Sequence, residues 1–186
     1  MANNDTQFQR LAVITELVKQ APDRFGRTAL MKCLFFLKTL RNVPLPYTFT
    51  LYTYGPFDAD VLDDLRYAES LGAIESTLVA YHGGYGYVLS IGAQAEAIEG
   101  RASEFLSQHQ ESIDWVIGEF GDRSASDLEM ASTLVYVDRT VAEKGTSVST
   151  KELAKTVNDV KHHLAAITIE REAQDLKEKG FLKAVA

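Results

Sequence analysis

The sequence ALMKCLFFLKTL, residues 29–40, places apolar side chains around nearly the full circumference of a helix. A helix that is apolar on all sides is buried, whereas a surface helix has one apolar stripe. Pro44 and Pro46 follow shortly afterwards and cannot continue the helix, because proline lacks the backbone donor that a helix needs. We therefore predict a core helix here, around which the rest of the chain is arranged.

The segment that follows predicts a strand and a second helix. Side chains from Tyr47 to Tyr54 alternate between two faces and include many aromatic and β-branched types, which is typical of a half-buried strand that ends at Gly55. Asp58 can cap the next helix, and Gly72 occupies the usual position just beyond its last turn. The apolar stripe of this helix consists of Val61, Leu62, Leu65, Ala68 and Leu71.

Two strand-like runs complete this region. They span residues 73–80 and 85–89 and are joined through His82-Gly83-Gly84, where glycine allows the positive φ of a tight hairpin. This order of elements predicts a winged helix-turn-helix-like N-terminal domain over residues 1–91, with the hairpin as its wing. The predicted fold class is mainly α with a small β-hairpin or sheet.

The rest of the sequence predicts helices. A helix from Asn4 to Gln20 has apolar residues at three- and four-residue spacing. Residues 92–186 predict a C-terminal helical bundle packed on the first domain. Its helices are expected over residues 93–120 with an interruption near Gly100, from a Ser126 cap to Gly145, from a Ser149–Glu152 capping box through Val160, and from a Thr168 cap to Gly180.

Composition limits the classes of function. The 186 residues carry 19 basic and 26 acidic side chains, a net charge of −7. Proteins that hold nucleic acid non-specifically neutralise phosphates with Lys and Arg, so this balance argues against that role. Apolar runs are shorter than the roughly 20 residues that span a bilayer, and residues 1–6 do not resemble a secretory signal. With Cys33 as its only cysteine, the sequence predicts a cytoplasmic protein without an internal disulfide or a membrane partner.

Four segments carry a family resemblance. They are LMKCLFFL at 30–37, YTYGPF at 52–57, ESLGAI at 69–74 and LEMASTLVY at 128–136. The chain resembles the YwgA-type and SocA-like (Panacea) domains of bacteria, and it is closer to the YwgA type because its first helix lacks the tryptophan or histidine common in SocA-like antitoxins. The resemblance implies a winged-helix-like fold with a helical C-terminal part. It also implies a role as an antitoxin or proteolysis adaptor, often near mobile elements and defence genes, without enzyme chemistry.

The helix over residues 58–71 is predicted to present an acidic face. Opposite its apolar stripe lie Asp60, Asp63, Asp64, Tyr67 and Ser70, with Arg66 at the flank. In a DNA-binding winged helix this face enters the major groove, where three aspartates would repel phosphates. We therefore predict that the three aspartates and Tyr67 bind a basic protein surface, the simpler alternative being a solvated acidic face. Metal binding by the three aspartates has little support.

Two aromatic motifs lie on either side of this helix. Tyr54-Gly55-Pro56-Phe57 is predicted to be architectural, because Gly and Pro shape the turn and Phe57 anchors the start of the helix. At the wing, His82 and Tyr85 lie beside further tyrosines at a Gly-rich tip, and tyrosine offers contact area at a low entropy cost. We predict that His82 and Tyr85 bind a partner, the alternative being a plain wing with half-buried tyrosines.

No combination of residues indicates an active site. His162 and His163 are adjacent along a helix, so they do not face the same ligand and are predicted to be surface residues. Cys33 lies in the core helix, where a thiol behaves as a small apolar group. Serines near the turns are explained by capping, and none lies in a Gly-x-Ser-x-Gly elbow. The sequence thus predicts no catalytic residues, no metal and no cofactor.

Taken as a whole, the sequence favours a non-enzymatic bacterial regulatory module that binds another protein through residues 58–71 and the wing. It would be antitoxin-like or associated with a defence system. The first alternative is a sequence-specific DNA-binding transcriptional regulator that uses Arg27, Lys32, Arg41 and wing residues. A second alternative is an accessory subunit or homodimer in which Trp115 and Phe120 anchor an interface or, equally, lie in the core.

Overall fold

The computed structural model describes residues 2–21, 23–81 and 84–185, with side chains from residue 6 onward. Among these residues it contains eight α-helices and four β-strands, which confirms a mainly α protein with a small β component. The helices are α1 (Ala2–Gln20), α2 (Arg27–Leu40), α3 (Ala59–Ser70), α4 (Ala95–Gly100), α5 (Ser103–Phe120), α6 (Ala125–Glu143), α7 (Thr150–Val160) and α8 (Ala166–Glu178). The strands are β1 (Thr50–Tyr52), β2 (Gly55–Phe57), β3 (Ile74–Tyr81) and β4 (Gly84–Ile91). None of the helices in the described ranges has the length and apolar character needed to cross a membrane.

The chain forms two compact units. The N-terminal unit comprises residues 1–49 and 58–123, and the C-terminal unit comprises residues 50–57 and 124–186. This division differs from the predicted boundary after residue 91, because α4 and α5 pack on α1 and α2 and so complete the N-terminal unit. The β1–β2 hairpin packs on α6, so it belongs to the C-terminal unit although it lies between α2 and α3 in the sequence.

The core helix forms where the sequence predicts it. Every residue of α2 from Leu30 to Leu37 is buried. Phe36 stacks on Phe120 of α5, with ring centroids 3.8 Å apart and ring planes 12° from parallel. Burial of large apolar side chains contributes about 1.5–3 kcal/mol each, so α2 is a major apolar element of the N-terminal unit. Cys33 is part of it, and burial raises the pKa of its thiol to about 12.

β3 and β4 form the predicted hairpin. They pair antiparallel in continuous register, without a bulge, over the full length of both strands. The base of the hairpin, at Ile74 and Leu89, is buried, and the two strands contact α1, α2 and α3. His82 and Gly83, at the predicted turn, lie outside the described residues.

The segment between α1 and α2 pairs with the outer edge of β4 near the base of the hairpin. Leu89 N donates to Phe25 O over 2.8 Å, and Gly26 forms an antiparallel bridge with Val88. Gly26 approaches β4 so closely that an added Cβ would lie 2.7 Å from Tyr87 O. A residue without a side chain is therefore needed at position 26.

The predicted strand from Tyr47 to Tyr54 is wrong in its extent. Only Thr50–Tyr52 forms a strand, and its partner is Gly55–Phe57, which the sequence indicated as a break. The reason lies at both ends of the segment: Tyr47 is buried in the N-terminal unit, and Gly55 turns the chain back with a φ of +86°. Glycine adopts a left-handed φ without steric cost, so this position permits the tight turn.

α3 begins and ends as predicted. The Asp58 side chain caps its N-terminus by accepting a hydrogen bond from Asp60 N over 2.9 Å. Gly72 follows the last turn with a φ of +71°. The backbone N–H groups of Gly72 and of the next residue then close a Schellman arrangement on that turn.

Asp64 does not lie on the exposed face of α3. It is 5% exposed, and its carboxylate accepts hydrogen bonds from Arg10 Nε (2.6 Å), Arg10 Nη2 (3.0 Å) and Tyr47 Oη (2.9 Å). The prediction that Asp64 belongs to the exposed acidic face is therefore wrong. The spacing gives the reason: Asp64 lies three residues after Val61 and four before Ala68, so it shares the buried stripe of the helix.

This contact joins three parts of the N-terminal unit: α1 through Arg10, α3 through Asp64, and the extended segment before β1 through Tyr47. The hydrogen bond to Asp64 raises the pKa of the Arg10 guanidinium. Burial, reinforced by the charge of Asp64, raises the pKa of the Tyr47 hydroxyl. Tyr47 therefore remains a hydrogen-bond donor at physiological pH.

The predicted starts of the helices in the second half of the chain are partly confirmed. α4 and α5 are separate helices that divide at Gly100, as predicted, and the predicted capping box at Ser149 is confirmed. Two other predicted caps are wrong, since Ser124 replaces Ser126 at the start of α6 and α8 begins before Thr168. Ser124 accepts a hydrogen bond from the backbone N–H three residues ahead, which is what an N-cap requires.

We expect Asp64→Ala to lower the free energy of unfolding by about 2–4 kcal/mol, because the buried Tyr47 hydroxyl and the Arg10 guanidinium lose their acceptor. Asp63→Ala, at the exposed neighbour, is the matched control and should change it by less than about 0.5 kcal/mol. Urea unfolding followed by circular dichroism measures both values. Equal losses for the two variants would contradict a buried role for Asp64.

Candidate protein-interaction surface

α3 presents a narrower acidic face than the sequence predicts. Asp60, Asp63 and Tyr67 are exposed, whereas Asp64 is buried. Asp63 Oδ1 accepts from Arg66 Nη1 over 2.6 Å, and both side chains are largely exposed, so this pair contributes only about 0–1 kcal/mol. Residues 58–91 contain six acidic side chains and one basic side chain. Two of the six are paired with arginines from outside this range, Asp64 with Arg10 and Glu69 with Arg27. The exposed negative charge of this region lies on Asp60, Asp63 and Glu75.

The β3–β4 hairpin carries an apolar and aromatic face. Leu78 lies opposite Tyr87, and Ala80 lies opposite Tyr85, so these four side chains share one face, which we call the hairpin face. Tyr85 is 79% exposed and Leu78 is 58% exposed. Contiguous exposed apolar groups mark interaction surfaces. The predicted role of Tyr85 in partner binding is consistent with this exposure, whereas His82 lies outside the described residues and its role stays a prediction.

Arg27 and Glu69 connect the hairpin face to α3. The guanidinium carbon of Arg27 lies 3.6 Å from the centre of the Tyr87 ring, and Arg27 Nη2 lies 3.3 Å from Glu69 Oε1. The hydroxyl of Ser76, on β3, donates to the same oxygen of Glu69. Cation–π and charge-assisted contacts of this kind hold the hairpin in a fixed orientation to the end of α3. The hairpin face is therefore fixed beside the C-terminal end of α3.

The basic residues considered for DNA contact are engaged within the N-terminal unit. Arg27 makes the hairpin contacts just described. Lys32 is buried in α2, so the expectation that it contacts DNA is wrong. The guanidinium carbon of Arg41 lies 5.0 Å from the centre of the Trp115 ring, and Arg41 Nη2 lies 3.6 Å from Glu111 Oε1.

Trp115 and Phe120 pack against each other inside the N-terminal unit. Phe120 is fully buried. Trp115 is half-buried, with its ring centroid 5.9 Å from that of Phe120 in an edge-to-face arrangement. The alternative in which both residues anchor an interface is wrong for Phe120, because its side chain is stacked on Phe36 in the core.

The motif Tyr54-Gly55-Pro56-Phe57 lies in the C-terminal unit. Its first residue is exposed, and the central Gly and Pro are buried where β2 packs on α6. An added Cβ at Gly55 would lie 3.1 Å from both Ser132 Oγ and Thr133 Oγ1 of α6. Gly55 is therefore needed both for its positive φ and for the close approach of the turn to α6. Phe57 is half-buried beside Tyr52, with ring centroids 5.7 Å apart.

A buried ion pair lies beside this turn. The side chains of Lys161 and Glu129 are 4% and 8% exposed, and Lys161 Nζ lies 2.9 Å from Glu129 Oε1. The same ammonium donates to Tyr52 O over 3.1 Å and to Thr53 O. One lysine thus neutralises a carboxylate of α6 and satisfies two carbonyls of the β1–β2 turn.

The sequence contains only a partial signal for this pair. Glu129 is the single charged residue in the run from Leu128 to Val135, and a charge in a buried run requires a partner. Its partner is not evident from spacing. The neighbouring His163 is exposed, as predicted, and its Nε2 lies 3.2 Å from Glu129 Oε1. Lys161 Nζ approaches this oxygen outside the direction of a hydrogen bond, so its attraction to Glu129 is ionic.

No model of a known protein family matches the chain, and no curated protein sequence is significantly similar to it. The resemblance to YwgA-type and SocA-like domains therefore stays a prediction that rests on four short segments.

Replacing Gly55 with alanine should destabilise the C-terminal unit more than the same change at Gly145. Both glycines have a positive φ, +86° and +68°, which costs a residue with a Cβ about 1–2 kcal/mol. Only Gly55 is crowded, since an added Cβ at Gly145 meets nothing within 4 Å. We expect urea unfolding to show a loss of about 1 kcal/mol for Gly145→Ala and about 2–4 kcal/mol for Gly55→Ala. Equal losses would show that α6 does not constrain the turn.

Lys161→Met should lower the free energy of unfolding by about 3–5 kcal/mol, because the buried Glu129 carboxylate loses its cation. The double variant Lys161→Met/Glu129→Met should recover only the part of this loss that comes from the unpaired carboxylate, since the carbonyls of Tyr52 and Thr53 still lack their donor. His163→Ala, at the exposed neighbour, is the control, with an expected change below about 0.5 kcal/mol. Urea unfolding measures all three variants, and a Lys161→Met chain as stable as wild type would refute the buried pair.

Proposed function

We propose that this chain is a non-enzymatic regulatory module that binds a basic protein partner in the cytoplasm. The binding surface consists of Asp60, Asp63 and Tyr67 of α3 together with the hairpin face. One observation carries the proposal: α3 exposes Asp60, Asp63 and Tyr67, and the hairpin that Arg27 and Glu69 fix to the end of this helix exposes further tyrosines.

Each part of this surface suits one aspect of protein recognition. Exposed carboxylates attract a basic partner over a Debye length of about 8 Å at physiological salt and speed its association. Tyrosines supply contact area at a low entropy cost and are enriched among the residues that dominate binding energy. Because Arg27 and Glu69 hold the hairpin face in place, little conformational freedom is lost on binding.

The order of elements in the N-terminal unit supports assignment to the winged-helix class. This order is α1, the bridged segment at Gly26, α2, α3 and the β3–β4 hairpin. In DNA-binding members of that class, the exposed face of α3 reads the major groove. The order therefore favours the alternative function, a sequence-specific DNA-binding transcriptional regulator. The charge of α3 opposes this alternative, because Asp60 and Asp63 repel phosphates.

An antitoxin-like role, associated with a bacterial defence system, rests on the family resemblance. Two of the resembling segments, 30–37 and 69–74, lie in α2 and around the end of α3. They therefore belong to the same unit as the acidic surface. Neutralisation of a basic toxin or effector would use that surface directly, because its carboxylates would pair with the cationic groups of the partner.

The double variant Asp60→Lys/Asp63→Lys tests the proposal. We expect it to lose about tenfold or more of the protein that the wild-type chain captures from an extract of its native host, because the attractive charge becomes repulsive. Its unfolding free energy should change little, since both positions are exposed. Asp122→Lys/Asp159→Lys makes the same change in charge at exposed positions outside α3 and the hairpin, and it should capture wild-type amounts.

Quantitative mass spectrometry of the captured proteins and sequencing of any captured nucleic acid separate the two functions. Equal capture of protein by both double variants would reject the acidic surface as the binding site. DNA of one sequence recovered equally with all three chains, and released as salt rises, would favour the transcriptional regulator.

A further inference from the structure

β3 has an open outer edge. It pairs with β4 on one side along its full length, and within the described residues no backbone hydrogen bond from a third segment reaches its other side. β4 differs near the base of the hairpin, where Phe25 and Gly26 pair with Val88 and Leu89 on its outer edge. A strand edge with unpaired N–H and C=O groups is a template for another strand.

The sequence of β3, IESTLVAY, lacks the features that protect natural edges. Lysine, proline and bulges commonly block such edges, and β3 contains none of them. Its single charge is Glu75, near one end. β-Branched and aromatic residues such as Thr77 and Tyr81 favour strand pairing, and both are exposed. An edge this long and unprotected is a place where another strand can pair.

We propose that the covering strand is β3 of a second copy of this chain. When the two β3 strands run antiparallel with Leu78 at the centre, Leu78 of one copy lies opposite Leu78 of the other. Glu75 of each copy then lies opposite Tyr81 of the other. The two Glu75 carboxylates then lie at opposite ends of the interface, so like charges do not face each other. The product is a four-stranded sheet with the order β4, β3, β3, β4. Residues directly opposite in an antiparallel pair share a face, so the two hairpin faces lie on the same side of this sheet.

The two-fold symmetry of the β3 pairing limits it to two copies. A two-fold pair uses the open edge of both β3 strands, and the outer edge of β4 is partly taken, at Val88 and Leu89, by Phe25 and Gly26 of the same chain. Self-pairing of one strand about a two-fold axis is isologous and closed, whereas a hairpin with two open edges would permit filaments.

Leu78→Lys tests this pairing, because it places two lysines opposite each other at the centre of the interface. Leu78 is exposed in the single chain, so the fold tolerates the change. By sedimentation equilibrium at about 0.15 M salt, we expect a dimeric wild type and a dissociation constant raised about tenfold or more by Leu78→Lys. Tyr85→Lys, the same type of change on β4, is the matched control and should leave the dimer intact. Circular dichroism establishes that both variants are folded.

A mixture of Leu78→Lys and Leu78→Glu chains should restore the dimer, since the two copies then carry opposite charges at the same position. A wild type that stays monomeric up to millimolar concentration overturns the proposal and leaves the β3 edge to a strand of another protein. A Leu78→Lys chain as dimeric as wild type, or a mixture that stays monomeric, overturns it as well. These measurements use the purified chain alone, so their outcome is independent of the proposed basic partner.

Discussion

One buried carboxylate orders the N-terminal unit. Asp64 accepts two hydrogen bonds from Arg10 and one from Tyr47, so α1, α3 and the extended segment before β1 meet at one point. A charged group inside a protein is stable only where charged and polar neighbours replace water. This requirement fixes the rotation of α3 about its own axis. Asp60 and Asp63 therefore face solvent, and the acidic surface is a consequence of the buried contact.

The C-terminal unit uses a second buried charge in a comparable way. Lys161 contacts Glu129 of α6 and two carbonyls of the β1–β2 turn. A lysine suits this position because three donors on one flexible side chain reach a carboxylate and two carbonyls together. An apolar residue would leave these acceptors unpaired. The pair thus holds residues 50–57 against residues 124–186, from which they are distant in the sequence.

Internal contacts also determine which charges remain at the surface. Arg10 is hydrogen-bonded to Asp64, and Arg27 lies over the Tyr87 ring and pairs with Glu69. The surface formed by α3 and the hairpin is consequently acidic and aromatic, a combination that suits a basic protein better than a polyphosphate. The open edge of β3 is a different kind of surface, because it recognises a strand through backbone geometry rather than charge.

Local patterns in the sequence determined most of the elements. The apolar circumference of α2, the glycine that ends α3 at position 72 and the β3–β4 hairpin follow from contiguous residues. Asp64 is wrongly predicted to share the exposed face of α3 with Asp60 and Asp63, because the groups that stabilise a buried carboxylate there are not evident from the sequence. The tertiary structure decided the partners of Asp64 and Glu129 and assigned residues 50–57 to the C-terminal unit. The physical reason is range: capping and helical periodicity act within a turn or two, whereas a buried charge is satisfied by whichever distant groups the packed chain brings within hydrogen-bond distance.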